Sequence, residues 1–322
     1  MDEFALINRF FRRSEDAWKS ISSGIATGIG DDCAVLNVTG QQVVVSTDTM
    51  VEGRHFPGSG CPRVVASRAL GAAVSDLAAM GASPLGFTLS LCLPQVDLEW
   101  CENFADCLHE KAVQWEIPLI GGDTVRGPLS VSITVMGVVA PGQAIMRSGA
   151  KAGDDIWVSG WLGDAAGGLE VAMSRPENLS ASQQLLLLRY ENPEPRIELG
   201  QQLAGVATSA IDISDGLLSD WLHIARASSV GAEIQEDLVP VREELIAAVG
   251  KQKAKEYALS GGDDYELCFT AAPDCRNQIS NLSSDHCHLT RIGQVLKDGG
   301  LLMINGEGNK CSHIHTGFNH FE

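Results

Sequence analysis

Aspartates recur where an apolar run breaks into glycine or a small polar residue: Gly30-Asp31-Asp32, Ser46-Thr47-Asp48, Gly121-Gly122-Asp123-Thr124 and Asp212-Ile213-Ser214-Asp215-Gly216. A carboxylate just past a strand end, held by a turn glycine, is where an open sheet presents ligands to something bound at its edge. The expectation is a shared cation cluster. Asp76 shares a helical stripe with Ala69, Ala72, Ala73 and Met80, and a carboxylate on an alanine-lined face needs a partner because an unpaired buried charge is prohibitive. A metal ion, an arginine or a backbone cap would each serve. Ser214 and Asp215 also suit the cap and first turn of a helix, whereas Asp212 precedes it. Asp220 falls on another face from Leu217, Trp221 and Ile224 and reads as solvated. The paired glycines before Asp123 read as a turn that lets backbone amides approach an anion. Gly160 to Gly168 is similar to a phosphate-cradling loop entering a helix, without the spacing of a phosphate-loop fingerprint. Arg147, beside Ser148 and Gly149, is a candidate phosphate clamp, since a guanidinium grips two oxygens at once.

These groups need elements to hold them. The first half reads as strand Val43 to Thr47, helix Pro62 to Met80, strand Phe87 to Leu93, helix Leu98 to Trp115, a short strand Pro118 to Ile120 and an alternating strand Leu129 to Val139. A polar, glycine-bearing stretch from Arg147 to Asp155 marks a domain boundary. Strand Ile156 to Ser159, strand Ala210 to Ile213 feeding a helix near Ser214, and strand Tyr265 to Thr270 follow. Strands and helices interleave throughout, which predicts two mixed α/β domains, residues 1–140 and 150–322.

Composition narrows the class. A formal net charge of -18 argues against direct contact with nucleic-acid backbone or an anionic membrane, both of which require clustered Lys and Arg. An anionic substrate would therefore need metal ions as mediators. The nine cysteines contain no C-x-x-C pair, and reduced thiols in a cytoplasmic protein fit best. Met1 to Arg13 lacks the apolar core of a signal peptide; Phe4, Ile7, Phe10 and Phe11 instead share a helical face. No apolar run reaches the ~18 residues of a membrane span. His286, His288, His313, His315 and His320 lack partnering cysteines and read as solvated, and no G-x-S-x-G elbow is present.

Taken together, Gly28 to Ala34, Ser46 to Phe56, Ser75 to Gly81, Gly121 to Thr124, Arg147 to Ala150, Ile211 to Leu217 and Ser260 to Leu267 resemble the thiamine-monophosphate kinases, in that family's order and from about residue 4 to the C-terminus. The resemblance implies the fold of the aminoimidazole-ribonucleotide synthetase superfamily: two α/β domains of α+β type, the N-terminal ones pairing across a homodimer into a β-barrel-like core. It implies ATP-dependent conversion of thiamine monophosphate to thiamine diphosphate with several Mg2+ ions. By motif position, Asp32, Ser46, Thr47, Asp48, Asp76, Asp123, Asp212 and Asp215 resemble the magnesium ligands. Gly122, Asp123, Arg147 and Ser214 resemble the ATP contacts, and His55, Asp263 and Phe318 the substrate contacts. The family pattern carries glutamate where this chain has Asp263; the shorter arm leaves a water or Asp264 to complete the reach.

The implied chemistry agrees with the residues. A phosphate monoester has a second pKa of about 6, so the acceptor oxygen is already anionic at neutral pH and no general base is required. Bringing it against the γ-phosphate of ATP is a problem of positioning and charge shielding. Two rivals come from the same superfamily. A selenophosphate synthetase would carry a reactive cysteine in a mobile glycine-rich N-terminal segment, whereas Cys33 follows two aspartates. A hydrogenase-maturation dehydratase would carry a cysteine at the extreme C-terminus, where this sequence reads His320-Phe321-Glu322. A non-catalytic calcium module, the remaining alternative, would cluster its ligands in one D-x-[DN]-x-[DN]-G loop, which the sequence lacks.

Overall fold

The computed structural model describes residues 25–27, 34–38, 40–58, 60–174, 176–284, 287–298 and 300–311. Strands β1 (Ile25–Thr27), β2 (Ala34–Val38), β3 (Gln41–Val51), β4 (Ser83–Leu93), β5 (Leu119–Arg126) and β6 (Ser130–Val139) form one six-stranded sheet in the order β1-β2-β3-β6-β4-β5. Its helices among the described residues are α1 (Pro62–Ala79) and α2 (Leu98–Gln114). β6 shows why one face is covered: its residues alternate strictly, with Val131, Ile133, Val135 and Val139 buried and Ser130, Ser132, Thr134, Met136 and Val138 half-exposed. This is the period-2 pattern of a sheet with a single apolar side.

α1 starts with proline at its first position, where the missing N–H costs nothing. Almost every residue from Val65 to Ala79 is buried, because the helix lies between this sheet and the second domain, and a helix apolar all round has to be enclosed. Small side chains, chiefly alanine, permit that close packing.

The second sheet holds β7 (Asp155–Ser159), β8 (Ser209–Asp212), β9 (Gly231–Gln235), β10 (Leu267–Ala271), β11 (Leu289–Leu296), β12 (Gly300–Ile304) and β13 (Lys310–Cys311), in the order β13-β12-β9-β11-β7-β10-β8. Seven helices belong to this half among the described residues: α3 (Asp164–Ser174), α4 (Ala181–Glu191), α5 (Ile197–Leu203), α6 (Leu217–Ser228), α7 (Glu243–Val249), α8 (Lys251–Ser260) and α9 (Arg276–Ser280). β7, β8 and β10 are buried along their whole length. On one side Ile156, Val158 and Ile211 pack with Trp221 and Ile224 of α6. On the other, Trp157, Phe269 and Ala210 pack with Leu199 and Leu203 of α5 and with Ala78 and Ala79 of α1. Tyr265, from the second half of the chain, belongs to the core of the first domain. The domains therefore share packed surface where the candidate site lies.

The strand Pro118 to Ile120 runs on through the glycine pair. Gly121-Gly122-Asp123-Thr124 is not a turn but the middle of β5, paired in parallel with β4. A Cβ on Gly122 would sit 2.0 Å from the Leu89 carbonyl oxygen, so glycine there allows the two strands to approach.

Candidate functional site

Strand register decides which acidic residues share a face. Asp48 pairs with Ile133, Ile133 with Leu89, and Leu89 with Gly122, so this row lies on the α1 side of the sheet. Ser46 shares that face, and its hydroxyl donates to Asp76 Oδ2 at 2.5 Å, which places the sheet residue against the C-terminal end of α1. The next row, Thr49, Ser132, Ser90 and Asp123, is on the outer face. Thr47 is also on the outer face, its hydroxyl 2.7 Å from that of Thr134. In one chain the structure thus brings Ser46, Asp48 and Asp76 together and sets Thr47 and Asp123 on the other side. Gly122 and Asp123 are exposed on the edge strand. Asp32 and Phe318 lie outside the described residues, as do the N-terminal helical face and His286, His313, His315 and His320.

The second group forms where β8 ends. Asp212 is buried because β8 is fixed by antiparallel pairing with β10, Leu267 opposite Asp212. Ser214, Asp215 and Gly216 turn the chain into α6. Asp220, read from the sequence as solvated, is only 2% exposed. Its Oδ2 accepts from the amides of Ser214 and Asp215, each at 3.1 Å. Burial raises the Asp220 carboxyl well above the ordinary carboxylate range, the charges of Asp215 and Asp212 push in the same direction, and Arg147 opposes them. Asp212, Asp215, Asp220 and Arg147 are therefore close neighbours. The other end of α6 holds Arg147: Ser228 Oγ donates to the Arg147 carbonyl at 3.1 Å and accepts from the amides of Gly149 and Ala150 at 3.1 and 3.2 Å. Gly149 has φ +131°, and a Cβ would lie 2.3 Å from the Thr208 carbonyl, so the segment can take this path only with glycine.

The two groups meet through the loop before β10. Asp263 donates its amide to the Ser214 carbonyl at 2.9 Å, and Tyr265 donates its amide to that of Ile213 at 2.9 Å. Asp263 and Tyr265 both have left-handed backbone, φ 71° and 51°, a strain typical of functional loops. The Asp263 carboxylate accepts from Arg68 of α1 at 3.0 Å and from the Tyr265 hydroxyl at 3.0 Å. Burial raises the Tyr265 hydroxyl far above its ordinary value, and the charges of Asp263 and Asp48 add to this, which places Asp48 within electrostatic reach of the loop.

Arg68, overlooked in the sequence, is the link. It is 1% exposed, lies 3.9 Å over the Tyr190 ring, and donates to the Tyr190 carbonyl at 2.8 Å and the His55 carbonyl at 3.3 Å. The reasoning applied to Asp76, a charge inside an alanine-rich helix, identifies Arg68 equally. His55 is half-buried and accepts the Val51 amide at Nδ1, 3.0 Å away.

Beside this clasp is an apolar cleft of about 260 Å3, lined among others by Phe56, Val64, Val171, Leu187, Tyr190 and Glu191. The Tyr190 hydroxyl is buried there without a hydrogen-bond partner among the described residues, and burial raises the Glu191 carboxyl above its ordinary value. The glycine-rich segment 160–168 is occupied from within. Asp264 accepts from the amides of Gly163 and Ala165 at 2.7 and 3.1 Å, filling the α3 N-terminus where a phosphate would sit.

The side chains of Ser46, Asp48, Asp76, Asp212 and Asp215 offer hard oxygens, and the acids of the second group crowd closely enough to repel one another, a condition that a divalent cation relieves. Among the described residues no three His, Cys, Asp or Glu side chains converge as a complete cage. Mg2+ does not require one, being held by one or two carboxylates with phosphate oxygens and water.

Comparison with known proteins agrees in extent and order. The family model described as AIR synthase related protein, N-terminal domain, matches residues 30–139, and the corresponding C-terminal domain model matches residues 151–304. The thiamine-monophosphate kinase of Escherichia coli (strain K12) is 43% identical over 323 residues, covering 99% of this chain and 98% of that one. The crystal structure of thiamine-monophosphate kinase from Stenotrophomonas maltophilia K279a superposes with a TM-score of 0.80 at 44% identity, covering 96% and 98% of the two chains. AaThiL complexed with AMPPCP and TMP superposes with a TM-score of 0.84 at 30% identity, covering 99% and 97%.

Proposed function

The chain belongs to the thiamine-monophosphate kinase family, and from that membership we propose that it phosphorylates thiamine monophosphate to thiamine diphosphate by direct in-line transfer from ATP. The observation that supports the reading is the hydrogen bond from the Asp263 amide to the Ser214 carbonyl, 2.9 Å: one turn joins the acidic group assigned to ions and phosphate to the loop assigned to the acceptor. In this reading residues 1–140 supply dimerisation and ion contacts, and residues 150–322 supply ion, nucleotide and substrate contacts.

Ser46, Asp48, Asp76, Asp212 and Asp215, with Asp32, would hold several Mg2+ ions, which when bound shield the two anionic reactants from each other. Thr47 and Asp123 face the other side of the sheet and would contribute to ion binding there, toward a second copy. Gly122, Asp123, Arg147 and Ser214 are assigned to ATP, Arg147 gripping phosphate oxygens from the segment that Ser228 anchors. The acceptor phosphate needs no base, being a dianion already at neutral pH.

The acceptor's organic part is assigned to the apolar cleft beside His55, together with Phe318. Asp263, held by Arg68 and Tyr265 and still 29% exposed, is assigned to the acceptor with its remaining acceptor capacity, and Glu191 supplies a second carboxylate facing a cationic ring. Leu187→Arg, which fills the cleft, is expected to raise KM for thiamine monophosphate about tenfold or more with KM for ATP unchanged, because a charge in an apolar pocket opposes the ring without touching the phosphates.

A homodimer is part of the proposal. The outer face of the six-stranded sheet carries Val45, Met136 and Val138 half-exposed and Val125 48% exposed, with no described helix over it; a second copy would cover that face. Sedimentation of the wild type should show a species of two chains, and Met136→Arg, placing a charge in that interface, should yield one chain. Seven described cysteines, among them Cys107 and Cys268, are free thiols, which fits the cytoplasm.

The deciding experiment incubates the purified chain with Mg-ATP and, separately, thiamine monophosphate, free thiamine, an aminoimidazole precursor or selenide. ATP consumption with thiamine monophosphate is expected; consumption with selenide instead would overturn the reading. Label exchange between ADP and ATP without acceptor would reject direct transfer.

A further inference from the structure

Asp220 is the fourth residue of α6, yet it acts on the turn before the helix. Gly216, the N-cap, has φ 106° and offers no side-chain cap, and the Ser214 and Asp215 amides ahead of it need acceptors of their own. One oxygen of Asp220 takes both. The turn is pinned from the opposite side as well, by the Ile213 amide donating to the Glu266 carbonyl at 2.7 Å and by the Asp263 and Tyr265 amides. A fully buried carboxylate beside the charges of Asp212 and Asp215 is an unfavourable way to stabilise a fold, since an apolar residue of similar size commonly does at least as well.

We propose that Asp220 is a positioning residue for phosphoryl transfer: by holding the Ser214 and Asp215 amides it directs the Asp212 and Asp215 carboxylates toward the ion-bound phosphates of the nucleotide. The inference rests on the reading of that turn as the ion and nucleotide site. Its action is geometric, and the side-chain oxygen of asparagine can accept the same two N–H groups, whereas alanine cannot.

The test compares the full-length wild type with Asp220→Asn and Asp220→Ala. Calorimetric binding of ADP with and without Mg2+ is measured beside steady-state kinetics. In Asp220→Ala the Mg-dependent ADP Kd and the half-saturating Mg2+ concentration are expected to rise about tenfold or more, the range found for residues that orient ion ligands. KM for thiamine monophosphate should stay within about twofold, and Asp220→Asn should remain within about threefold of wild type throughout. Wild-type nucleotide and Mg2+ dependence in Asp220→Ala, or an equal loss in all constants, would overturn the proposal. So would an Asp220→Asn variant whose Mg-dependent ADP Kd rises about tenfold, a comparison that stands even if the alanine variant fails to fold. A wild-type chain that binds no Mg-ADP would instead remove the underlying reading and this inference with it, so the two failures are told apart.

Discussion

Asp212→Asn is expected to lower kcat/KM for thiamine monophosphate by about a thousandfold or more while leaving the protein folded. Loss of one preorganised electrostatic group around a developing transition-state charge costs roughly 10²–10³, and Asp212 is proposed to hold an ion between two anionic reactants, where the demand is greater. The fold should tolerate the change. Asparagine is isosteric, Asp212 ends a strand whose backbone is fixed by its partner β10, and removing one charge relieves the repulsion between Asp212 and Asp220. Initial rates of ADP release, set beside thermal unfolding of the same preparation, measure both halves of this statement. Near-normal turnover would remove Asp212 from the ion site; loss of folding would show that its role is structural.

The second large effect is on stability. Arg68→Ala is expected to cost about 1–3 kcal/mol, the usual consequence of leaving a buried acceptor unpaired, since the Asp263 carboxylate that remains is 29% exposed and keeps contact with water. The guanidinium is 1% exposed and connects four groups: the Asp263 carboxylate, the Tyr190 ring and the carbonyls of Tyr190 and His55. Its loss leaves the buried Tyr190 carbonyl without this donor and frees the loop that carries Asp263. Urea unfolding gives the energy; KM for thiamine monophosphate should rise in the same variant because His55 and Asp263 lose their common anchor. Arg68→Lys is expected to recover only part of it, since an ammonium cannot reach so many acceptors in one plane. Wild-type stability in Arg68→Ala would show that the clasp contributes nothing.

Much of the architecture was legible because it is local. The alternation of β6 and the alanine-rich stripe of α1 follow from side-chain periods of 2 and 3.6 residues, and the corresponding strand and helix lie within a residue or so of where the sequence places them. The departures share a cause. Gly121-Gly122-Asp123-Thr124 has turn composition, but β4 supplies hydrogen-bond partners and the glycines allow close approach, so it is strand. Asp220 has the helical phase of a solvated residue, but the uncapped turn before α6 draws its carboxylate inward. The segment 160–168 has the glycines of a phosphate loop, but Asp264, about a hundred residues away, already occupies the helix N-terminus. In each case a partner distant in sequence outweighed a local preference.

By itself, the sequence determined the alternating α/β character, the excess of acid that makes cations necessary for an anionic substrate, and the ordered motifs that resemble one kinase family. Only the tertiary structure decided which acids share a face, that Asp263 serves Arg68 and Tyr265, and that Asp220 supports the turn bearing Asp212 and Asp215. Period and charge are properties of neighbouring residues, whereas a face is chosen by strand register and an ion pair between domains by packing. Arg68 and Asp263 stand 195 positions apart, a separation over which no local pattern carries information.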